Sequence, residues 1–181
     1  MILRRCLYIL GLIITTILFS CSKPRRHNEI TKIELAKSGA WSDPGAAIII
    51  DSALTYKYYG VLKSGTPFEK RNYYIGKVSE EFWDTLNRKL EKLKFKDLSG
   101  IDSEQVADVP YLEFIIHWKN AKTRIIKQYS PGKDSIINML TWLDTSYKKI
   151  KLKKVNVAFN FETILQEPLP SLKQIKFPPP I

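Results

Sequence analysis

Cysteine is nearly absent from this sequence, and its two positions restrict what it can do. The only cysteines are Cys6 and Cys21, both within the first 21 residues. The chain after Cys21 therefore has no thiolate for a metal, no cysteine nucleophile and no internal disulfide. With about 160 residues left, we expect a single domain whose stability comes from packing alone.

Histidine and glycine are also scarce. His27 and His117 are the two histidines, and there are eight glycines. Metal sites need several converging ligands, which two histidines do not supply. The glycines form no motif of the kind that cradles phosphate or a dinucleotide. No G-x-S-x-G string marks a serine nucleophile. We predict no catalytic constellation, no metal and no cofactor.

The first 21 residues have the order of a secretory signal. Arg4 and Arg5 precede an apolar run over residues 7–18, which is shorter than the roughly 18 residues that span a bilayer. Its end, Leu18-Phe19-Ser20-Cys21, resembles the lipobox of bacterial lipoproteins. This resemblance implies a signal peptide over residues 1–20, lipid (palmitate) on Cys21, and a lipid-anchored protein of the bacterial cell envelope, on the outer membrane or its periplasmic face. A plain signal peptide with a chance cysteine is the alternative.

The charge is strongly positive, with a formal net charge of +11. An exported domain does not normally meet nucleic acid, so none is expected as a partner. We expect contact with the membrane through the lipid on Cys21, and with an envelope protein or an anionic glycan. The alternative is that the charge only confers solubility.

Hydrophobic patterning predicts the organisation of the rest of the chain. Residues 21–29 form a lipidated cysteine with a basic tether, residues 30–167 one α+β domain, and residues 168–181 a proline-rich tail. Strands are expected at residues 30–37, 46–50, 54–62, 73–75, 111–118, 123–129 and 155–161, and helices from Ser79 to about residue 94 and over residues 134–150. Short links favour a mainly antiparallel sheet with two helices packed on one face.

The first helix has the clearest signals. Ser79 is a good N-cap, and Glu80 and Glu81 place negative charge in the first turn. An apolar face is predicted with Trp83 at its edge, and its members recur at helical spacing: Phe82, Leu86, Leu90 and Leu93.

A candidate binding surface lies between the third and fourth predicted strands. The loop over residues 63–72 contributes Lys70 and Arg71, and the next strand contributes Tyr73 and Tyr74. Aromatic rings beside cations suit a sugar-bearing or anionic partner. Core packing explains part of the tyrosines equally well.

Two weaker possibilities involve carboxylates. An envelope hydrolase could use a pair of the loop carboxylates Asp43, Asp51, Asp102, Glu104 and Asp108. Alternation in the strand over residues 111–118 also places Glu113 and His117 on one side, which could form an acid–base pair. The favoured interpretation is a solvent-facing polar side of a strand.

Some of these features resemble a family known only as a domain of unknown function in cell-envelope lipoproteins of the Bacteroidota type. The resemblance covers roughly residues 30–145 and consists of the 39–44 loop, Tyr56-x-Tyr58-x-Gly60, Phe82-Trp83-x-x-Leu86, Phe95 and Asp108-x-Pro110. The family often has cysteines in its first loop, where this chain has none. The resemblance implies a fold and a location but no activity.

Overall fold

The computed structural model describes residues 29–38, 45–62, 70–100, 109–129 and 134–163. Seven strands are present in this part of the chain: β1 Ile30–Lys37, β2 Ala46–Asp51, β3 Thr55–Gly60, β4 Asn72–Lys77, β5 Tyr111–Trp118, β6 Ala121–Gln128 and β7 Lys153–Val155. Two α-helices accompany them, α1 Glu80–Lys92 and α2 Ser135–Asp144, and a 3-10 helix over Thr145–Lys149 continues α2. The predicted signal peptide, the tether up to residue 28 and the proline-rich tail lie outside the described residues.

The strands form one sheet in the order β6-β5-β1-β2-β3-β4-β7, with every described pair antiparallel. The first strand lies inside the sheet because β2 pairs with one of its edges and β5 returns to the other. This confirms the α+β class and the antiparallel sheet.

The sheet has two different faces because successive side chains alternate along each strand. One face carries the large apolar side chains and supports both helices; we call it the helix face. Its buried members include Ile33, Leu35, Ile48, Ile50, Tyr56, Tyr58, Leu112, Phe114, Ile116 and Ile125, which share one core with Leu86 and Leu90 of α1 and Leu140 and Leu143 of α2. The prediction of two helices on one face is therefore confirmed.

Helix α1 begins as its sequence indicates but turns a different side chain to the core. The Ser79 hydroxyl accepts a hydrogen bond from the Phe82 amide at 3.1 Å. Trp83 is only 5% exposed, so its placement at the edge of the apolar face was wrong. Phe82 is instead half-buried and stacks on Trp142 of α2, 5.0 Å between ring centroids. Phe82, at the edge of the buried face of α1, thus packs α1 against α2.

The second predicted helix is divided in two. Asp134 caps α2 by accepting the Ile136 amide at 2.7 Å, but the α-helix ends at Asp144 and the 3-10 helix follows. Two contacts with β3 hold the 3-10 helix on the sheet. The Tyr56 hydroxyl lies 2.9 Å from Ser146 Oγ, and the Tyr58 ring stacks on Tyr147 at 4.7 Å.

The last strand is shorter than predicted. It ends at Val155, whereas a strand over residues 155–161 was expected, so that prediction was wrong. Residues 156–163, which we call the crossing segment, leave the edge of the sheet without strand pairing. Phe159 and Phe161 contact rings of β3 and β4 instead. Their alternation reflects packing on a sheet face, which the sequence pattern does not distinguish from strand pairing.

The buried hydrogen bond between Tyr56 and Ser146 generates a stability prediction. Burial raises the pKa of Tyr56 above its ordinary value, so the phenol keeps its proton. Tyr56→Phe leaves Ser146 Oγ buried without its partner and should lower the free energy of unfolding by about 1–2 kcal/mol, measured by denaturant titration.

A double-mutant cycle provides the control. Ser146→Ala alone should also destabilise, and adding it to Tyr56→Phe should cost less than the sum of the two single changes, with a coupling of about 1 kcal/mol. Additive effects would contradict a direct interaction.

Candidate functional site

The face of the sheet opposite the helices, here the outer face, is buried at its centre. The strand register places Ala36 of β1 between Ala47 of β2 and Glu113 of β5. Ala36, Ala47 and Ile115 are at most 2% exposed, although both described helices pack on the other face. The crossing segment covers the neighbouring part of this face, where the Glu162 amide donates to Glu34.

The crossing segment runs from the β7 edge towards β1 and β5. Phe159 meets the ring of Tyr73 edge-on at 5.4 Å, and Phe161 lies 6.5 Å from the ring of Tyr59. Glu162 then reaches residues of β1, β5 and β6. The segment therefore spans the outer face through side-chain contacts rather than a backbone ladder.

Aromatic rings and cations collect where the crossing segment passes β3 and β4. The rings of Tyr59 and Tyr73 stack at 4.6 Å. The Arg71 guanidinium lies over Tyr59 at 4.8 Å, and Lys57 Nζ lies over Phe159 at 5.5 Å. We call this the aromatic–basic surface; its members are all half-buried and comprise Lys57, Tyr59, Arg71, Tyr73, Phe159 and Phe161.

The residues predicted to bind a partner are divided between the two faces. Arg71 and Tyr73 lie on the outer face within the aromatic–basic surface. Tyr74 packs against the helix-face core, 6.0 Å from the ring of Tyr58. Lys70 is exposed just before β4, and its carbonyl accepts a hydrogen bond from Asn72. Residues 63–69 of the predicted loop, and Cys21, lie outside the described residues.

A second polar cluster lies where the crossing segment reaches the centre of the sheet. The Glu34 carboxylate is fully buried, with Oε1 accepting from Lys32 Nζ at 2.9 Å and Oε2 from the Glu162 amide at 2.7 Å. Lys32 Nζ also donates to Glu162 Oε1 at 2.6 Å. Lys122 Nζ lies 3.3 Å from the other oxygen of Glu162, and His117 Nε2 lies 3.0 Å from Oε1. This Glu34 cluster ties the crossing segment to β1, β5 and β6.

Charge within the cluster sets the protonation of its members. Hydrogen bonding to Lys32 lowers the pKa of Glu162. Burial alone would lower the pKa of Lys32, but hydrogen bonds to Glu162 and Glu34 outweigh it and raise the value. Burial and the nearby positive charge of Lys32 lower the pKa of His117. At neutral pH the cluster therefore holds ionised Glu162, charged Lys32 and a neutral imidazole.

The same cluster has the donor set of a metal site. One ligand atom each from Glu34, His117 and Glu162 lies within 4.8 Å of the others. The Lys32 ammonium, however, contacts both carboxylates and already supplies the balancing positive charge. A divalent cation would have to displace it, so the geometry favours an ion-pair cluster.

The sequence indicated that the polar side of β5 faces solvent, but in the structure most of it is buried. Glu113 is fully buried and Ile115 nearly so. Glu113 pairs with Arg124 of β6 at 2.6 Å, while the carboxylate beside His117 is that of Glu162. The earlier interpretation was wrong because the outer face is covered in its central part.

Sequence reasoning missed the Glu34 cluster for an identifiable reason. Alternation in β1 places Lys32 and Glu34 on the face opposite Ile33 and Leu35, so the sequence does predict the sheet face on which they lie. Glu162, the partner of both, lies 128 residues after Glu34 in the chain, and nothing in the local pattern indicates it.

The described part of the chain offers little support for carboxylate catalysis. Asp51, from the proposed hydrolase set, accepts the amides of Ala53 and Thr55, each at 3.0 Å, and so holds the β2–β3 turn. The other members of that set lie outside the described residues: Asp43, Asp102, Glu104 and Asp108.

Comparison with known proteins gives no family for this chain. No protein-family model matches it, and no curated protein matches it. Within the described residues, none of the helices has the length and apolar character needed to cross a membrane.

The position of Glu162 generates a pH prediction. Because its pKa is lower in the folded protein than its ordinary 4.5, its stabilising contribution is complete above that value and is lost as the pH falls through the folded-state pKa. Glu162→Gln should lower the free energy of unfolding by about 1 kcal/mol at neutral pH, a modest value because the side chain is partly exposed. The deficit should shrink in acid, as denaturant titrations across the pH range would reveal.

Glu29→Gln is the matched control. Glu29 also contacts two lysines, Lys96 and Lys119, and its pKa is also lowered by them, but these contacts are at the surface and away from the crossing segment. Hydrogen exchange of the Glu162 amide should accelerate in the Glu162→Gln variant and not in the control. Equal exchange in both variants would mean that the carboxylate does not hold the segment.

Proposed function

We propose that this protein is a lipid-anchored, non-catalytic domain of the bacterial cell envelope that binds another envelope component. The location follows from the lipobox-like sequence ending at Cys21 and the basic residues that follow it. Stable anchoring often needs a second contribution besides the lipid, and an adjacent basic stretch supplies one. Lys23, Arg25 and Arg26 provide that stretch.

The aromatic–basic surface is the observation that carries the binding role. Its stacked tyrosines and the two cations lying over rings combine flat apolar area with positive charge. Such a combination suits sugar rings that bear anionic groups, or an acidic protein surface. The rings are only half-buried, so each retains area that a partner can contact.

An accessory binding role accounts for the described carboxylates better than hydrolysis does. Glu34 and Glu113 are buried against cations, and Asp51 is occupied with backbone amides. None of these three is arranged as the exposed acid–base pair that a hydrolase requires. This supports the non-catalytic role over the hydrolase alternative.

The anchoring role predicts the behaviour of a Cys21→Ala variant. Without the thiol there is no atom to carry lipid, so labelling with radioactive palmitate should disappear. The chain should then be released from membranes or accumulate with its signal peptide attached. A variant that is still acylated and sedimented with membranes would exclude Cys21 as the anchor.

The binding role predicts the effect of removing two cations near the surface. Lys70→Ala with Arg71→Ala should change the free energy of unfolding by about 1 kcal/mol or less, because both side chains are at least partly exposed. Capture of envelope components by the lipidated protein should fall several-fold at low salt. The difference from wild type should narrow at high salt, where these charges are already screened.

Lys89→Ala with Lys92→Ala is the control for this experiment. It removes the same charge from α1, and Lys89 also lies over a ring, that of Trp142 at 5.0 Å. The control should capture as much as wild type. Equal capture by all three proteins would show that Lys70 and Arg71 do not contribute to binding of the partner.

A further inference from the structure

Lysines in the described part of the chain differ in what they contact. Five of them contact a carboxylate: Lys32, Lys37, Lys96, Lys119 and Lys122. Residues 148–154 contain five exposed lysines in seven positions, and none of the ion pairs among the described residues involves them: Lys148, Lys149, Lys151, Lys153 and Lys154. Lys148 instead lies over the ring of Tyr147 at 5.9 Å. We call these five the lysine segment. Its charge is not balanced within the described fold.

The backbone of the lysine segment is held firmly, so its charges cannot easily spread apart. The contacts of Tyr56 and Tyr58 with the 3-10 helix fix its beginning, and pairing of β7 with β4 fixes its end. Between them, the Lys151 carbonyl lies so close to Gly76 that a Cβ there would be 2.7 Å from the oxygen. Concentrated like charge on a fixed backbone is relieved by a negatively charged surface.

The lysine segment begins at the end of the sheet where β1 starts, and its last two lysines, Lys153 and Lys154, continue along the edge of β4. Lys32 of β1 pairs with Asp51, the last residue of β2, and Thr55, the first residue of β3, pairs with Lys77 at the end of β4. Gly76, next to Lys77, contacts the segment. The start of β1 and Lys151 are therefore at the same end of the strands.

The distances allow the lipid on Cys21 and the lysine segment to contact the same membrane at the same time. Four strand spacings separate β1 from β7, which is about 19 Å across the sheet. Seven residues lie between Cys21 and Glu29, and they bridge at most about 29 Å. A lipid on Cys21 thus keeps this end of the sheet close to the bilayer.

We propose that the lysine segment docks on the anionic phospholipid headgroups of the membrane in which Cys21 is anchored, and so fixes the orientation of the domain. The inference rests on the lipid anchor of the proposed function. It differs from that function in assigning a second surface, which contacts lipid phosphate rather than the envelope partner.

The experiment uses the mature lipidated protein, reconstituted in vesicles. Because Cys6 leaves with the signal peptide and Cys21 carries lipid, a cysteine introduced elsewhere would be the only free thiol. A fluorophore is attached to Lys151→Cys or, as the control, to Lys70→Cys. Both positions are exposed lysines in the native chain, and they lie near opposite ends of β4. Quenching by headgroup-labelled lipid reports proximity to the membrane, and the mass of the protein reports lipid on Cys21.

In vesicles containing phosphatidylglycerol, quenching at Lys151→Cys should be several-fold stronger than at Lys70→Cys. The difference should disappear in pure phosphatidylcholine, at high salt, or when the four other lysines of the segment are changed to glutamine. A lipidated chain quenched equally at both sites, or more at Lys70→Cys, would overturn the orientation alone. A chain without lipid on Cys21 would overturn the anchor and the orientation together.

Discussion

The buried carboxylate of Glu34 constrains the whole outer face of the sheet. A carboxyl group buried in a central strand is costly unless donors satisfy it, and here the donors are the Lys32 ammonium and the Glu162 amide. The second donor brings the crossing segment over β1. Since that segment also carries Phe159 and Phe161, satisfying Glu34 helps to place two rings of the aromatic–basic surface. The charge at the centre of the sheet and the candidate binding surface are thus parts of one arrangement.

The path of the chain also explains why only part of the fold could be predicted. Helix α1 and the strands β1 and β5 are recognisable because capping, periodicity and β-branched residues agree locally. The position of β1 inside the sheet is not recognisable, because its pairing with β5 joins residues about 80 positions apart. The 155–161 segment alternates like a strand, yet beyond Val155 it lacks a neighbouring strand to pair with in the described fold. Its alternation instead serves contacts with Tyr59 and Tyr73.

The sequence predicted the chemical character of the candidate site better than the set of residues that form it. Tyrosines near Arg71 indicated an aromatic and basic surface, but sequence proximity grouped Tyr73 with Tyr74. Alternation in β4 sends these two rings to opposite faces. The other rings, Phe159 and Phe161, come from a segment more than 80 residues away, and the sequence holds no signal for that contact. The excess of positive charge was evident, but its division into paired and unpaired lysines depends on which carboxylates the fold brings near.

The two proposed surfaces adjoin along β4 but extend towards different ends of it, which assigns them different roles. Tyr59 pairs with Tyr73 near the end of β4 that begins at Asn72. The lysine segment runs along β4 from the pair Lys154–Tyr74 to Gly76, beyond which its first lysines continue at the other end. Four residues from Tyr73 to Lys77 correspond to about 14 Å along the strand. If the lysine segment rests on lipid headgroups, Arg71 and Tyr73 point away from the bilayer that holds the anchor. Their partner would then be a component that extends from the membrane or approaches it, rather than the lipid surface itself. The lysines that orient the domain are in this way separate from the rings that recognise the partner.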